Sequence, residues 1–544
     1  MIADNTKGNE EPKFVIENNV LKGKVEGQEL HYTSGGPLLF EVLKKTPNFV
    51  GQVDVVTGQE DTFGNMLDRA IKCALWMKKQ GATKGDIIAL STHNHLDSFI
   101  PYIAGLFIGA TINPWNHEMN TSLARHFMGL TRPKIIFANE ESAGIIMEAA
   151  KIELFHPKVV VFGNYLGTIP FSAVLQGHSE SEVANFECTN IANIKETSTI
   201  LFSSGTTGLP KGVQLSHEVI VSCLENLESF RFKSVIPLWF SSLYWISGTM
   251  LSLKSISGQT KRIIAPQFDP QTVCEVVEKY KVTWLMLSTS MANRFVRYNG
   301  LHNYDLSSLS LLLVGGATLK QESQDALNEH LPHTTVLQAY GMTELGGLVA
   351  AQTLDSTSGS CGVVIPNSEI KIIDPDTGKI LGANQNGELC AKTPTVMNGY
   401  YKNPEATREI LDADGWLHSG DLAYYNEKGE VFIIDRLKEI IKYRGHQITP
   451  TEIENLLQAH PAVLEVAVVS IPHPTDDEHP IAFVSKVPHK EVSAEELILR
   501  VENNLLDVYK LRGGVKFLPK LPHTHSGKIS RKDLKAMANS MAVK

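Results

Sequence analysis

The chain has 544 residues, of which 42% are hydrophobic and 20% are charged, and its formal net charge is −9. This composition predicts a soluble globular protein with more than one domain. Acidic and basic residues are well mixed, so neither nucleic-acid binding nor an acidic regulatory tail is indicated. The six cysteines are scattered without a Cys-x-x-Cys pair, which argues against a disulfide framework or a zinc site and indicates a reducing compartment.

Three segments bear on location. Residues 1–13 are polar and lack the apolar core of a secretory signal. Residues 234–253 are uncharged and long enough to cross a bilayer, but their five serines, threonine, proline and glycine favour the buried wall of a pocket. The C-terminal Ala542-Val543-Lys544 differs from the Ser-Lys-Leu type of peroxisomal signal. We therefore expect no membrane span and a cytoplasmic location, with the peroxisome as the alternative.

Helical and extended patterns alternate through the first two thirds of the chain. Residues 65–80 place apolar side chains on one stripe, and Gly81 follows where a helix would end. The apolar segment 98–110 predicts a packed helix. Short buried strands are predicted at 86–90, 133–138, 159–163, 310–314 and 334–337. This alternation favours an α/β fold, with a large N-terminal domain of layered subdomains and largely parallel sheets.

The pattern changes after Cys361, where short strands are joined by turn sequences. Strands are predicted at 363–365, 370–373 and 387–392. They indicate a β-rich subdomain over about 361–435.

A domain boundary is predicted near Asp435, between a large domain of residues 1–435 and a small, mobile α+β domain of residues 436–544. In the small domain, Thr449-Pro450-Thr451-Glu452 predicts a capping box with proline at the first helical position. A strand is expected at 466–471.

The most informative segment is a glycine- and hydroxyl-rich loop between the apolar run 199–202 and the helical pattern 217–230. Glycine lets backbone N–H groups close on phosphate oxygens, hydroxyl groups donate hydrogen bonds, and lysine neutralises charge. The spacing is not that of a Walker A motif, because Pro210 precedes the lysine and Gly212 follows it. A glycine-rich surface turn is the alternative. The candidate phosphate-binding residues are Ser203, Ser204, Gly205, Thr206, Thr207, Gly208 and Lys211.

Four further segments follow this loop in an order that is typical of one superfamily. They are Tyr340-Gly341-Met342-Thr343-Glu344, Gly415-Trp416-Leu417-His418-Ser419-Gly420-Asp421, Asp435-Arg436-Leu437-Lys438 with Ile441-Lys442-Tyr443-Arg444-Gly445, and Ser526-Gly527-Lys528. From about residue 35 to its end, the sequence resembles the adenylate-forming superfamily of acyl- and aryl-CoA synthetases, beetle luciferases and peptide-synthetase adenylation domains. The motif wording is most similar to that of insect luciferase-like acyl-CoA synthetases.

The resemblance implies that the chain adenylates a carboxylic acid with ATP and Mg²⁺. Because two anions must meet and charge grows on the α-phosphate and on pyrophosphate, this reaction needs cations and fixed N–H donors. By resemblance, Lys528 bridges the α-phosphate and the carboxylate, and Thr343 contacts a phosphate. Glu344 is implied as the ligand of Mg²⁺, a hard cation that prefers carboxylate oxygen.

Other matched residues are implied to hold the nucleotide. Tyr340 is expected near the adenine, and Asp421 is expected to accept hydrogen bonds from the ribose hydroxyls. Arg436 is implied as a second ribose ligand and, with Lys438, as the hinge at 436–438. The remaining residues implied at the nucleotide site are Gly316, Ala317, Gln338, Ala339, Gly341 and Met342.

The same resemblance implies a second face of the small domain. In relatives, the small domain rotates after adenylation and admits CoA. Lys442, the fourth implied catalytic residue, lies on this CoA face with Arg444 and Gly445. The wording Tyr443-Arg444-Gly445-His446 differs mildly from the commoner Tyr-Lys-Gly-Tyr but keeps a positive charge.

The segment after Pro237 departs from the family pattern. Many relatives carry a histidine there beside the acyl pocket, and this chain has none, which puts chemistry of the beetle-luciferin type in doubt. It also lacks an aspartate that could pair an α-ammonium, which argues against an amino-acid substrate. Its aromatic residues indicate an apolar or aromatic acyl group, with core packing as the alternative. The candidate pocket residues are Trp239, Phe240, Ser241, Tyr244, Gly315 and Gly341.

Together these features favour an AMP-forming acyl- or aryl-CoA ligase that uses ATP, Mg²⁺ and CoA. The alternative is a luciferase that adenylates a luciferin and oxidises it with O₂. A catalytically silent binding protein is a third class, which Lys528, Glu344 and Asp421 disfavour. The expected partners are a small carboxylic acid, ATP and CoA, bound by a monomer.

Overall fold

The computed structural model describes residues 14–27, 30–203, 209–225, 232–444, 446–523 and 529–542. Its strands are β1 (Phe14–Glu17), β2 (Val20–Gly23), β3 (Val50–Asp54), β4 (Glu60–Thr62), β5 (Ile87–Ser91), β6 (Thr111–Pro114), β7 (Ile135–Asn139), β8 (Lys158–Phe162), β9 (Ile169–Pro170), β10 (Thr197–Ser203), β11 (Lys211–Ser216), β12 (Pro237–Trp239), β13 (Arg262–Ile264), β14 (Trp284–Ser288), β15 (Leu311–Gly315), β16 (Thr335–Met342), β17 (Gly347–Ala351), β18 (Val363–Val364), β19 (Glu369–Ile373), β20 (Gly387–Lys392), β21 (Gly399–Tyr400), β22 (Leu417–Tyr425), β23 (Val431–Arg436), β24 (Ile441–Tyr443), β25 (His446–Ile448), β26 (Val463–His473), β27 (Asp477–Lys486) and β28 (Val515–Phe517). Its α-helices are α1 (Gly35–Lys45), α2 (Phe63–Lys79), α3 (Ile100–Ile108), α4 (Thr121–Thr131), α5 (Glu140–Ile152), α6 (Phe171–Val174), α7 (Glu180–Ala184), α8 (His217–Glu225), α9 (Ile246–Ser257), α10 (Pro270–Tyr280), α11 (Thr289–Val296), α12 (Gln321–His330), α13 (Pro404–Ile410), α14 (Pro450–Gln458), α15 (Ala494–Asn504) and α16 (Arg531–Ala542).

Two large sheets dominate the first part of the chain. One has eight strands in the order β21-β11-β10-β6-β5-β7-β8-β9, and the other has nine in the order β18-β17-β16-β15-β14-β12-β13-β3-β4. The strands from β10 to β9 are parallel, as are those from β16 to β3. Parallel strands need long crossovers, which the intervening helices provide. The α/β class expected from the alternating pattern is confirmed.

The predicted elements lie within a few residues of their expected positions. The helix expected at 65–80 is α2, which begins at Phe63 because the Thr62 hydroxyl caps it by accepting from the N–H of Asn65. Gly81 follows with a left-handed φ of 79°. The packed helix expected at 98–110 is α3, and every one of its residues is buried.

The uncharged segment 234–253 forms β12 and the greater part of α9, as expected for a pocket wall. α9 is 12 residues long. Among the described helices, none has both the length and the apolar character needed to cross a membrane.

The region after Cys361 supplies most of a six-stranded antiparallel sheet in the order β1-β2-β19-β20-β22-β23. Its first two strands lie outside the predicted elements. Asn18 and Asn19, with φ of 51° and 64°, make the two-residue turn of this hairpin. β2 then pairs with β19, with Leu21 opposite Ile370, and such a distant partner leaves no signal in the local sequence pattern.

The last part of the chain builds a five-stranded sheet from β24 to β28, with its own apolar core. Its first helix, α14, begins at Pro450 as predicted, but the Thr449 side chain makes no capping hydrogen bond. Instead, Asp435 Oδ2 accepts from the N–H of Thr451 at 3.1 Å. The predicted capping box is therefore wrong, because the Glu452 N–H donates to the Thr449 carbonyl oxygen at 3.2 Å and not to the Thr449 hydroxyl.

Candidate active site

A single cleft of about 3980 Å³ runs along the carboxyl ends of the parallel strands. Ser203 ends β10, Gly315 ends β15 and Met342 ends β16, and all three line the cleft. Ligand sites of open parallel sheets lie at this edge, because the loops that follow the strands converge there. The six-stranded sheet and parts of the C-terminal segment close the other side.

The predicted phosphate end of the cleft is built by two adjacent strands. Ser203 on β10 lies opposite Lys211 on β11, and both line the cleft. The residues between them that were predicted to bind phosphate, 204–208, lie outside the described residues. Ser203 Oγ is buried and lies next to the Tyr400 hydroxyl. A buried hydroxyl of this kind suits a ligand oxygen.

Glu344 lies beside these strands in the short turn after β16 and is buried. Its Oε1 accepts a hydrogen bond from the Tyr400 hydroxyl at 2.9 Å, and the Tyr400 ring lies 4.8 Å from Lys211 Nζ. Burial and the neighbouring carboxylate raise the pKa of Tyr400, so its hydroxyl stays protonated and donates.

No cationic side chain forms an ion pair with Glu344 among the described residues. A buried carboxylate without a counter-ion suits a hard divalent cation such as Mg²⁺. Thr343 precedes it and also lines the cleft. The donor set therefore fits the metal that the resemblance implies.

The predicted nucleoside end of the cleft is built around Asp421. β22 and β23 place Asp421 opposite Arg436, and Arg436 Nε lies 2.8 Å from Asp421 Oδ1. The Tyr340 hydroxyl donates to Asp421 Oδ2 at 2.5 Å. Burial and this carboxylate raise the pKa of Tyr340, so it remains a donor. The structure thus brings together three residues that lie far apart in the sequence.

Two glycines at this end occupy positions that disfavour a side chain. Gly316 has a φ of 91° and open space where a side chain would stand, so the backbone there can approach a ligand closely. At Gly341, a Cβ would lie 2.1 Å from the carbonyl oxygen of Gly347. Ala317, Ala339 and Met342 line the cleft beside them.

Gln338 does not line the cleft within the described part of the structure. Its side chain is buried, accepts from the N–H of Leu319, and donates to the carbonyl oxygen of Ser360 at 2.7 Å. It therefore supports the strand that carries Tyr340, and this corrects its predicted place in the nucleotide site.

The residues predicted to form the acyl pocket fall into two groups, those that line the cleft and one that lies in the core. Phe240, Ser241 and Tyr244 line the cleft, as does Gly315. Trp239 is 1% exposed and lies behind the cleft wall. Arg262 Cζ stacks over the Trp239 ring, 4.3 Å from the ring centroid. The core-packing alternative thus applies to Trp239 and corrects its predicted place in the pocket.

Tyr400 is a site residue that the sequence analysis missed. It belongs to the two-residue strand β21, which pairs with β11 and so reaches Glu344 and Lys211. The sequence signal at this position is the glycine that precedes it, since Gly399 adopts a φ of 125°. No spacing rule links a tyrosine at this position to phosphate chemistry.

The C-terminal part presents one of its two predicted faces to the cleft. His523, Ile529, Ser530 and Arg531 line it. Lys528 lies between them in the sequence but outside the described residues, as does Gly445 on the other face.

The predicted CoA face lies elsewhere. Lys442 and Arg444 are absent from the cleft lining, and Arg444 Nε instead binds Asp476 Oδ1 at 2.7 Å. At the predicted hinge, Arg436 and Lys438 do line the cleft.

This fold defines a two-part class of protein, in which a large α/β body carries the cleft and a small α+β unit lines its other side. The sequence matches the AMP-binding enzyme family over residues 39–401 and the AMP-binding enzyme C-terminal domain over residues 452–528. The chain belongs to the AMP-binding enzyme family, and the predicted membership of the adenylate-forming superfamily is confirmed.

The chain is similar to two kinds of enzyme, luciferases and CoA ligases. The chain is 29% identical to luciferin 4-monooxygenase of Nipponoluciola cruciata, over 97% of this chain and 99% of that protein. It is 31% identical to 4-coumarate–CoA ligase 4 of Arabidopsis thaliana, over 90% of this chain and 89% of that protein.

Two solved structures are similar to this one. ATP-bound MatB from Rhodopseudomonas palustris superposes with a TM-score of 0.84 at 24% identity, covering 93% of this chain and 99% of its own. The luciferase-like enzyme of the nonluminescent mealworm Zophobas morio gives 0.73 at 31% identity, covering 77% and 99%. The expected large and small parts of the fold are confirmed.

Proposed function

We propose that the chain is an ATP-dependent acyl- or aryl-CoA ligase, which activates a carboxylic acid as its acyl-adenylate and transfers the acyl group to CoA. One observation carries this proposal. A single cleft holds the Lys211–Tyr400–Glu344 cluster at one end, the Asp421 carboxylate at another, and an apolar pocket between α8, α9 and the β14–β16 edge. These are the parts needed to bring a triphosphate and an organic acid together.

In the first half-reaction, a carboxylate oxygen attacks the α-phosphorus of ATP, the bond from this phosphorus to the bridging oxygen breaks, and pyrophosphate leaves. The carboxylate is already nucleophilic, so the site needs electrostatic stabilisation more than a base. Lys211 and the Ser203 hydroxyl would contact phosphate oxygens, with residues 204–208 between them. Glu344 would hold Mg²⁺, which neutralises phosphate charge when it is bound. Lys528 would link the two reacting anions.

The nucleoside would be held at the opposite end. Arg436 and Tyr340 each bind one oxygen of the Asp421 carboxylate, which fixes its orientation in the cleft. We assign Asp421 to the ribose hydroxyls and Tyr340 to the adenine side. Gly316 would allow the backbone to lie close to the nucleotide, and Gly341 allows β16 to pack closely against Gly347.

The second half-reaction needs another domain arrangement. The residues that flank Lys528 line the cleft, whereas Lys442 and Arg444 do not, which suits adenylation. We propose that residues 436–544 rotate as one domain against residues 1–435, about a hinge at 436–438. The CoA thiolate then attacks the acyl carbon, the carbon–oxygen bond to AMP breaks, and AMP leaves.

The test combines two assays on the full-length protein. With ATP and Mg²⁺, at least one member of a panel of fatty, cinnamic and benzoic acids should support exchange of pyrophosphate into ATP. Added CoA should then give a thioester detectable by mass spectrometry. Light with a luciferin and O₂, without a thioester from any acid, would favour a luciferase instead. Silence in both assays would favour a binding protein.

A further inference from the structure

α9 forms one wall of the acyl end of the cleft. The residues of α9 that line the cleft recur at helical spacing, so that they share one face. They are Ile246, Ser247, Met250, Leu251 and Lys254. Lys254 is the one charged residue of this helix.

The two ends of this face have different surroundings. At the N-terminal end of α9, Ile246 packs against the apolar cluster that contains Tyr400, and the Ser247 hydroxyl donates to Ser241 Oγ at 3.2 Å. This end therefore lies near the phosphate-binding residues. Lys254 is seven residues further on, about 10 Å along the helix axis at 1.5 Å per residue. Helical side chains lean towards the helix N-terminus, so the ammonium projects back into the cleft.

α8 closes the pocket next to Lys254. Val219, Ser222 and Cys223 of α8 line the cleft, and the Cys223 thiol donates to the carbonyl oxygen of Met250 at 3.6 Å. Among the described residues, Cys223 is the titratable group that interacts electrostatically with Lys254. Burial raises the pKa of the Cys223 thiol to about 11, so the thiol remains neutral.

Lys254 makes no hydrogen bond or ion pair through its ammonium with any residue that the structure describes. Burial lowers the pKa of Lys254. Apart from the carbonyl groups at the end of α9, no negatively charged group among the described residues compensates a charge at this position. The Lys254 side chain is partly buried. An ammonium that is withdrawn from water without a partner is unfavourable, and an anion that enters the pocket would relieve that cost.

We propose that Lys254 is a specificity-determining residue that binds a second carboxylate at the far end of the acid, so that the substrate is a dicarboxylic acid with an apolar chain or ring between its carboxylates. This inference rests on the proposed ligase function. The first carboxylate must reach the phosphate end near Lys211 and Glu344, and Lys254 lies two helical turns away along the same wall. Met250 and Leu251 line the stretch of α9 between these ends, which suits an apolar middle.

The experiment compares matched acids in pyrophosphate exchange. Octanoate is paired with octanedioate, and cinnamate with 4-carboxycinnamate. The wild-type protein should prefer the dicarboxylic member of at least one pair by ~10-fold or more in kcat/KM, as expected where a buried polar group would be left unpaired. Lys254→Met should remove this preference, mainly by raising KM for the dicarboxylic acid, and should leave the monocarboxylic acid unchanged or improved.

The controls separate binding from folding. Lys151→Met changes an exposed lysine on α5 and should behave as wild type. If Lys254→Met lowers the melting temperature, Lys254→Arg should keep the preference and Lys254→Gln should lose it. A wild-type protein that prefers the monocarboxylic member of both pairs, or a Lys254→Met variant that loses both acids equally, would overturn the inference and leave the ligase function standing. Exchange with no acid at all would overturn both.

Discussion

Tyr400 gives the sharpest test of the phosphate end of the cleft. Its hydroxyl donates to the buried Glu344 carboxylate at 2.9 Å, and its ring lies 4.8 Å from Lys211 Nζ. A hydrogen bond to a charged group contributes ~1.5–3 kcal/mol, which corresponds to roughly 10- to 100-fold in rate if it is fully expressed in the transition state. Tyr400→Phe removes the hydroxyl and keeps the ring. We expect kcat/KM for ATP to fall by about this factor.

The assay is pyrophosphate exchange at a saturating acid concentration, measured over a range of Mg²⁺ concentrations. The loss should be largest at limiting Mg²⁺. At high concentration, Mg²⁺ fills a weakened Glu344 site by mass action and hides the defect. Tyr401→Phe is the matched control, since Tyr401 is adjacent but is absent from the cleft lining and lies against Lys402. The reasoning is refuted if Tyr400→Phe is as active as this control at limiting Mg²⁺.

Three further predictions concern the nucleoside end, the two domain faces and the linker. Asp421→Asn should weaken AMP binding by roughly 10-fold or more, because a charged acceptor is lost; an unchanged affinity in calorimetric titration would contradict the ribose assignment. Lys528→Ala should abolish pyrophosphate exchange and spare thioester formation from preformed acyl-adenylate, and Lys442→Ala should do the reverse; equal loss of both steps in either variant would count against the domain rotation. Asp435→Ala removes the acceptor for the Thr451 N–H and should destabilise the C-terminal part by about 0.5–2 kcal/mol in urea unfolding; Asp435→Asn should recover most of that loss, and no difference between the two would refute the capping role.

The sequence could single out the residues of the proposed nucleoside end, because the chemistry expected of them restricts both residue type and spacing. Asp421 and Arg436 belong to recognisable motifs, and the antiparallel pairing of β22 with β23 then places them opposite each other. Gly341 was predictable for the same reason, since a side chain there would collide with the backbone of Gly347.

The remaining site residues depend on contacts that no local pattern records. Tyr400 becomes functional only because β21 pairs with β11, almost two hundred residues earlier in the chain. Trp239 and Phe240 are adjacent aromatic residues, and only the packing around Arg262 decides that the first is core and the second is cleft wall. Gln338 lies beside a motif, yet its amide is engaged by neighbours that belong to a later loop. Lys254 carried a weak signal, as the single charge in an otherwise uncharged helix.

The pairing of β2 with β19 has a consequence for how the protein is made. Ribosomes add about 5–20 residues per second, so the N-terminal strands wait on the order of tens of seconds before their partner leaves the exit tunnel. During that time, Val20 and Leu21, which are buried in the finished sheet, stand on an open edge. Nascent chains stalled before residue 369 should therefore bind chaperones through this hairpin, and release should follow once Ile370 has emerged.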